Sequence, residues 1–309
     1  MDLRGSDRVA GVCAVIVTHN PALPRLEASL LAVRRQVDWA LIVDNCSIAP
    51  VGEWLAAQSA AGAVEVLRMD ANVGIAAALN RGIAWAKLRG FANVLLLDHD
   101  SVPALDMVER LVRARQELER QGIRVAAVGP EFRDDKYPGI SPFYQFEGWR
   151  IVRKSCAGQA AGATVPAECL ITSGSLISME TLGSVGLMET DLFVDYVDIE
   201  WGLRAGSLGY KCFGVCGAVM DHQLGDSIRP FLGIAVPVRS PLRHYYLFRN
   251  ACLLYRRGYV PLRWKLNDAY RLLLKYGFYS LMTPPRLQHF RMMTLGIAHA
   301  LMNRAGKLG

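Results

Sequence analysis

Asp98 and Asp100 flank His99 where the apolar run 94–97 ends. A run of that length reads as a buried strand, and side chains two apart on an extended segment point the same way. Two carboxylates held together repel each other unless positive charge lies close by. A hard divalent cation carrying phosphate oxygens meets that need, and Mg2+ or Mn2+ is the usual choice for oxygen ligands. The plainer reading is a solvated turn in which Asp100-Ser101 caps the next helix. A second set of acids, Asp195, Asp198 and Glu200, lies among apolar and aromatic residues ahead of a helical run at 202–206. On one face of a first helical turn, an acid in a partly dry cleft has its pKa raised toward a value useful to a general base. Acids also favour first turns because of the helix dipole alone. His222 stands just beyond an apolar strand pattern at 212–219, where a lone histidine is more often structural than a ligand.

The elements that must position these groups alternate through the first half of the chain. Residues 12–18, 40–44, 63–67 and 93–97 read as strands, residues 23–35, 51–61, 75–89 and 104–121 as helices, and 124–129 as a fifth strand. Such alternation predicts an α/β fold with right-handed crossovers, a parallel sheet and ligands at the carboxyl ends of the strands. Those ends read Thr18-His19-Asn20, Asp44-Asn45-Cys46-Ser47 and Asp98-His99-Asp100-Ser101. In the stretch from Asn72 to Gly82, Gly74 opens a helix whose N-terminus either accepts negative charge or simply packs closely. No G-x-G-x-x-G follows the first strand and no Walker sequence occurs, which argues against a nicotinamide dehydrogenase or a P-loop enzyme. Residues 130–165 show little periodicity and read as a long loop, usually functional or mobile. Residues 168–178 read as one strand with Gly174 at a close approach.

A chain of 309 residues can form one large domain or a domain with an appendage. The net charge of +7 is uneven: residues 239–309 hold thirteen Lys or Arg and one acid, Asp268, whereas residues 1–238 are net −5. The expected division is therefore an α/β domain over 1–238 and a basic helical segment over 239–309. Helical patterns in that segment break at Pro261 and Pro284-Pro285. Leu266, Ala269 or Tyr270, Leu273 and Gly277 or Phe278 form an apolar stripe, with Arg263, Arg271 and Lys275 off it. A basic amphipathic helix suits an anionic membrane surface, the alternative being ordinary core packing. Nothing interleaves aromatic and basic residues as a nucleic-acid site would. The seven cysteines are scattered, and the lone C-x3-C of Cys212 and Cys216 has no second pair, so zinc is not expected. Five of the seven lie among apolar neighbours and read as core thiols in a reducing cytosol. No signal peptide or spanning run of about eighteen apolar residues is visible.

In this order the pieces resemble the family 2 glycosyltransferases of the GT-A fold, a Rossmann-like nucleotide-diphospho-sugar transferase, here with a helical C-terminal extension. More narrowly, the chain is similar to their bacterial rhamnosyltransferases over roughly residues 10–260. The marks are Val17-Thr18-His19-Asn20, Val43-Asp44-Asn45-Cys46-Ser47, Leu97-Asp98-His99-Asp100-Ser101, Thr172-Ser173-Gly174-Ser175-Leu176-Ile177, Val197-Asp198-Ile199-Glu200-Trp201, His222-Gln223-Leu224-Gly225-Asp226-Ser227 and Arg243-His244-Tyr245-Tyr246-Leu247-Phe248-Arg249-Asn250. The resemblance implies that Thr18, Asn20 and Asp44 hold the nucleotide base and ribose, with Asn72 and Gly74 lining the pocket and Asp98 near the ribose. It implies that Asp100 holds Mg2+ or Mn2+ at the donor diphosphate, with His222 completing the metal site or touching the diphosphate; in the C-terminal segment, Arg243 and Arg249 are candidates to serve the same diphosphate. Asp198 falls at the family's catalytic base, with Val197 where a second acid is usual and Asp195 a possible substitute. Glu200 and Trp201 fall on the acceptor side. The implied activity is inverting transfer of L-rhamnose from dTDP-β-L-rhamnose to a cell-envelope or lipid-linked saccharide, such as lipopolysaccharide or O-antigen, at the inner face of the cell membrane. A UDP-sugar donor, or a non-catalytic nucleotide-sugar-binding membrane partner, are the alternatives.

Overall fold

Alternating apolar side chains divide the strands between two cores. Along β1 (Val9–Thr18), Cys13, Val15 and Val17 face one side of the sheet, while Val12, Ala14 and Ile16 face the other. A computed structural model describes residues 9–62, 64–134, 137–140, 143–222, 227–231 and 234–309. After β1 come α1 (Leu23–Arg34), β2 (Val37–Asp44), α2 (Ala49–Ala60), β3 (Glu65–Arg68), α3 (Ile75–Leu88), β4 (Asn93–Asp98), the two-residue β5 (Val102–Pro103) and α4 (Met107–Arg120). The middle of the chain adds β6 (Val125–Asp134), β7 (Tyr137–Ile140), β8 (Phe143–Glu147), β9 (Arg150–Lys154), β10 (Thr164–Ala167) and β11 (Leu176–Ser178). Next are α5 (Met179–Val185), a 3-10 turn (Thr190–Leu192), α6 (Val197–Ser207) and β12 (Lys211–Asp221). The chain ends with β13 (Ser227–Phe231), β14 (Ile234–Val238), α7 (Pro241–Tyr255), α8 (Leu262–Met282) and α9 (Arg286–Leu301).

The main sheet runs β10-β12-β6-β11-β4-β1-β2-β3, with β5 on β12 and β7 on β6. β4, β1, β2 and β3 are parallel neighbours, as strand–helix alternation demands, and β12 is parallel to β6. The register aligns Thr18 with Asp44 and Val17 with Asp98, so three polar strand ends stand side by side.

Two sequence expectations change. Residues 168–178 do not form one strand. A turn at 172–175 brings Gly174 (φ 85°) so close to Pro130 that a Cβ there would lie 2.7 Å from its ring, and only β11 remains, antiparallel between β4 and β6. The expected loop 130–165 is largely strand. Phe143 on β8 fills the space that a side chain at Gly214 of β12 would need, which ties the β8–β9 hairpin to the sheet edge. Five cysteines are free thiols, and the remaining two, Cys156 and Cys216, form a disulfide that the sequence did not indicate, with Cα atoms 5.3 Å apart and Cys216 N donating to Ala163 O beside β10.

The segment 239–309 is not a detached appendage. Leu247, Phe248, Ala251, Leu254, Trp264, Leu272, Tyr279, Met293 and Ala300 share one core with the sheet face carrying Val15, Val43 and Leu96. The stripe predicted on α8 is another matter, because Leu266, Tyr270 and Leu273 are 54%, 64% and 69% exposed. Among the described residues no helix is long and apolar enough to cross a membrane.

Candidate active site at the strand ends

β4 delivers Asp98, the following turn delivers Asp100, and the end of β12 delivers His222, whose backbone N–H donates to Arg133 O. Ligand atoms of the three lie within 4.8 Å of one another. A buried network supports them: Ser173 Oγ accepts from Asp98 N (3.0 Å), and Ser101 Oγ lies 2.6 Å from Ser173 Oγ and 2.8 Å from His222 Nδ1. Burial pushes the Asp98 pKa up, with His222 opposing. Burial also acts to raise Asp100, but His222 outweighs it and leaves that carboxyl lowered. At 3.4 Å, His222 Nδ1 is an electrostatic neighbour of Asp100 Oδ1 more than a hydrogen-bond partner, and that oxygen is buried without one. Two carboxylates, one of them with a buried oxygen left unsatisfied, and one imidazole make a donor set that fits Mg2+ or Mn2+.

The neighbouring strand ends carry two further unsatisfied atoms. Thr18 and Asp44 are both fully buried, and neither Thr18 Oγ1 nor Asp44 Oδ2 has a hydrogen-bond partner. Asp44 Oδ1 accepts from Ser47 N at 3.1 Å, and Arg68 Nε stands 3.8 Å from Oδ2. Buried polar atoms left unpaired cost about 1–3 kcal/mol each, a cost that a polar ligand removes. Asn20 and Asn72 act on the surrounding loops: Asn20 Oδ1 accepts from Ile48 N (2.8 Å), and Asn72 Oδ1 from Gly74 N (3.0 Å) and Asn45 Nδ2 (3.1 Å). Asn45, which sequence reasoning left without a role, ties the second strand end to the third loop through Val73 N (2.9 Å). Gly74 caps α3 with φ 85°, and the N–H of Ile75 donates to Phe193 O at 2.8 Å. A Cβ on Gly74 would lie 2.5 Å from that oxygen, so close packing is what this glycine provides.

Asp198 sits in the first turn of α6, half-buried, with Oδ1 accepting from Ile199 N at 2.9 Å. Burial pushes its carboxyl up to about 6; that hydrogen bond opposes the rise, and the charges of Asp195 and Asp98 add to it. Asp195 is not in the helical turn. It precedes α6 with φ 59°, and its carboxylate takes Arg239 Nη1 (2.7 Å) and Arg243 Nε (2.9 Å). The Arg243 charge also acts to lower the Asp98 pKa.

Glu200 and Arg249, also expected at the site, are spent on other contacts, whereas Trp201 stays beside Asp198. Glu200, two positions from Asp198 and so on the opposite side of the helix, is fully buried against Arg204 (2.7 Å) and Tyr259 (2.6 Å). Trp201 is buried, donates to Gly186 O (2.8 Å) and borders the same narrow gap as Asp198. Arg249 is fully buried, with its guanidinium directed at backbone carbonyls of residues 191, 192 and 306, so it offers nothing to a donor. Residues 223–226 of the histidine motif lie outside the described residues.

Residues 13–165 match the model of a family described as Glycosyl transferase family 2. The chain is 31% identical over 261 residues to the dTDP-rhamnosyl transferase RfbF of Shigella flexneri, covering 84% of each chain. The chain belongs to glycosyl transferase family 2. This family 2 glycosyltransferase is also 27% identical over 289 residues to galactofuranosyltransferase GlfT1 of Mycolicibacterium smegmatis, covering 88% of this chain and 90% of that one. Among solved structures, GalNAc-T7 with UDP, GalNAc and Mn2+ superposes with a TM-score of 0.55 at 15% identity, covering 94% of this chain and 57% of that one. That likeness shows the GT-A fold. A family 2 member of this kind is a glycosyltransferase.

Proposed function

We propose that the protein transfers L-rhamnose from dTDP-β-L-rhamnose to a saccharide of the cell envelope, free or lipid-linked, with inversion at the anomeric carbon. The observation that carries this reading is the alignment of three unsatisfied buried oxygens, on Thr18, Asp44 and Asp100, along adjacent strand ends beside an acid, Asp198, whose pKa is raised. Thr18 and Asp44 take the polar edge of the nucleoside, with Asn20, Asn45 and Asn72 shaping the loops around it. Asp98, Asp100 and His222 would hold Mg2+ or Mn2+, which supplies charge neutralisation to the departing nucleoside diphosphate. Arg243, oriented by Asp195, faces the same negative charge. Asp198 accepts the proton of the acceptor hydroxyl, an effect typically worth about 10²–10⁴-fold. With its pKa near 6 it is ionised at neutral pH yet basic enough to act. A single base acting on the acceptor hydroxyl fits single displacement, which would give an α-L-rhamnoside.

The acceptor reading draws on the C-terminal face. Leu266, Tyr270, Leu273, Leu274, Leu281 and Met282 of α8 and Leu287 and Phe290 of α9 are exposed, as are Arg271, Arg286 and Arg291. The one acid of the segment, Asp268, is taken up by Tyr196 and Tyr255. Trp149, 63% exposed, joins this face from the tip of the β8–β9 hairpin, where its carbonyl accepts from Asn267 of α8. Apolar and cationic groups without free acids suit the inner face of an anionic membrane, each cation adding roughly 1 kcal/mol.

The test is a donor panel. Purified protein, Mn2+ and an extract of lipid-linked envelope saccharides are given dTDP-L-rhamnose, UDP-galactofuranose, UDP-N-acetylhexosamines or GDP-mannose. Transfer of rhamnose alone supports the reading. Preference for UDP-galactofuranose, the direction in which the GlfT1 likeness points, keeps the mechanism and replaces the donor.

A further inference from the structure

Between the 3-10 turn and α6, the backbone takes a shape that its side chains disfavour. Phe193, Asp195 and Tyr196 have φ of 62°, 59° and 65°. Residues with a Cβ avoid that region, bulky aromatics most of all. Such a segment persists only where its surroundings over-determine it, and strain of this kind gathers where a site needs a fixed geometry. The segment leads directly into the helical turn that presents Asp198.

Several attachments hold it, and most come from the C-terminal helices. Asn250 of α7, fully buried, directs Nδ2 at three carbonyls: Leu192 O (2.8 Å), Val194 O (2.7 Å) and Asp195 O (2.9 Å). Arg249, the neighbouring residue, donates from Nη2 to Asp191 O (3.1 Å) and Leu192 O (3.0 Å), and from Nε to Asn250 Oδ1 (2.9 Å). That last bond fixes which end of the Asn250 amide faces the loop. Asp268 of α8 accepts from Tyr196 Oη at 2.9 Å. From the tail beyond α9, Gly306 N donates to Asp191 O at 2.7 Å, while Gly306 O accepts from Arg249 Nη1. Phe193 also stacks on Tyr246 of α7, ring centroids 5.0 Å apart.

We infer that Arg249 and Asn250 are positioning residues for Asp198, and that Gly306 in the C-terminal tail completes the latch that holds the 191–196 segment in its strained form. An arginine and an asparagine sealed from solvent and spent on the carbonyls of one loop build nothing for a ligand; they set where α6 begins and therefore where its second residue points. This inference rests on the reading of Asp198 as the base. It assigns the helices that carry the exposed apolar face a second task, since a surface on α8 and α9 and the geometry of the base are joined through Asp268 and Gly306.

The test compares Asn250→Ala, Arg249→Lys and Gly306→Pro in the full chain. The proline removes the N–H that reaches Asp191 and forbids the φ of 77° at that position. Turnover, donor KM, the pH profile of kcat/KM and binding of dTDP with Mn2+ are measured for each. A misplacement of about 1 Å costs roughly a hundredfold in rate, so kcat should fall about a hundredfold while dTDP and Mn2+ bind within threefold of the wild type. Loosening the loop admits water to Asp198, so the acid limb of the profile should move to lower pH, which a purely structural loss would not produce. Should Asn250→Ala fail to fold, Gly306→Pro, a change in the tail, decides the question. Wild-type kcat with an unmoved acid limb overturns the inference, as does a loss of turnover matched by an equal loss of dTDP binding. If Asp198→Asn itself retains turnover, the base reading fails instead, and the two failures are separable.

Discussion

Replacing Asp198 by Asn should make the protein more stable and nearly inactive. The carboxyl is raised from the ordinary 3.8 to about 6, chiefly by burial. Each pH unit of that rise is worth about 1.4 kcal/mol, so holding the ionised form costs the folded state about 3 kcal/mol. The sign follows from linkage: with a folded pKa above the unfolded one, the group's favourable contribution is fully present below pH 3.8 and lost as pH rises through about 6. Asn keeps an oxygen for the N–H of Ile199 and carries no charge, although its amide N–H group brings an unpaired donor worth roughly 1 kcal/mol. The expected gain is therefore about 2 kcal/mol at pH 8, falling to about zero near pH 4.5. Turnover should fall about 10²–10⁴-fold. Urea unfolding of both proteins at pH 8 and pH 4.5, with kcat at pH 8, measures all of this. In the wild type, kcat/KM should decline with a single proton below about pH 6. A variant that is less stable at pH 8, or that turns over normally, refutes the reasoning, because either result means that the ionised carboxylate is held by favourable contacts or is not the base.

Two further outcomes are expected. Gly74→Ala places a methyl 2.5 Å from Phe193 O at a φ of 85°, so thermal unfolding should show a loss of about 1–3 kcal/mol, with kcat reduced more than nucleotide affinity because the displaced segment is the one leading to Asp198. Leu273→Glu with Leu274→Glu alters only exposed positions, so stability should stay within about 0.5 kcal/mol, while sedimentation with phosphatidylglycerol vesicles, salt-sensitive in the wild type, should be lost. Equal binding to phosphatidylcholine vesicles, or no binding by the wild type, would contradict the membrane reading.

The strand ends were legible because local chemistry announces them. An apolar run that stops at Asp44 or Asp98 can be read in a window of ten residues, and period-two burial then places both acids at one sheet edge. Arg249 was misread for the opposite reason. Its motif carries a cation near a supposed diphosphate, but its partners are carbonyls 57 and 58 residues away, and a backbone oxygen leaves no mark in sequence. Asn250 escaped attention on the same ground. Glu200 and Trp201 shared a motif with Asp198, yet the 100° step of a helix turns Glu200 to the other side. The Cys156–Cys216 pair spans 60 residues and depends on an edge strand no periodicity revealed. Ser101 and Ser173 stood inside the quoted motifs; what betrays their role is only the third dimension, where they meet His222. The helices of 239–309 were located from Pro261 and Pro284-Pro285, whereas their joint core with the sheet was not, since both a solvated and a packed helix show the same stripe.

The central claim is that the strand-end cleft binds a nucleoside diphosphate through a divalent metal. Calorimetric titration of the purified protein with dTDP, UDP and GDP, each with and without Mn2+, and repeated with Asp100→Asn, tests it most directly. The account predicts that dTDP binds best, that binding needs Mn2+, and that Asp100→Asn abolishes the metal dependence. Binding of none of the three, or dTDP binding unchanged by chelator and by Asp100→Asn, would contradict it.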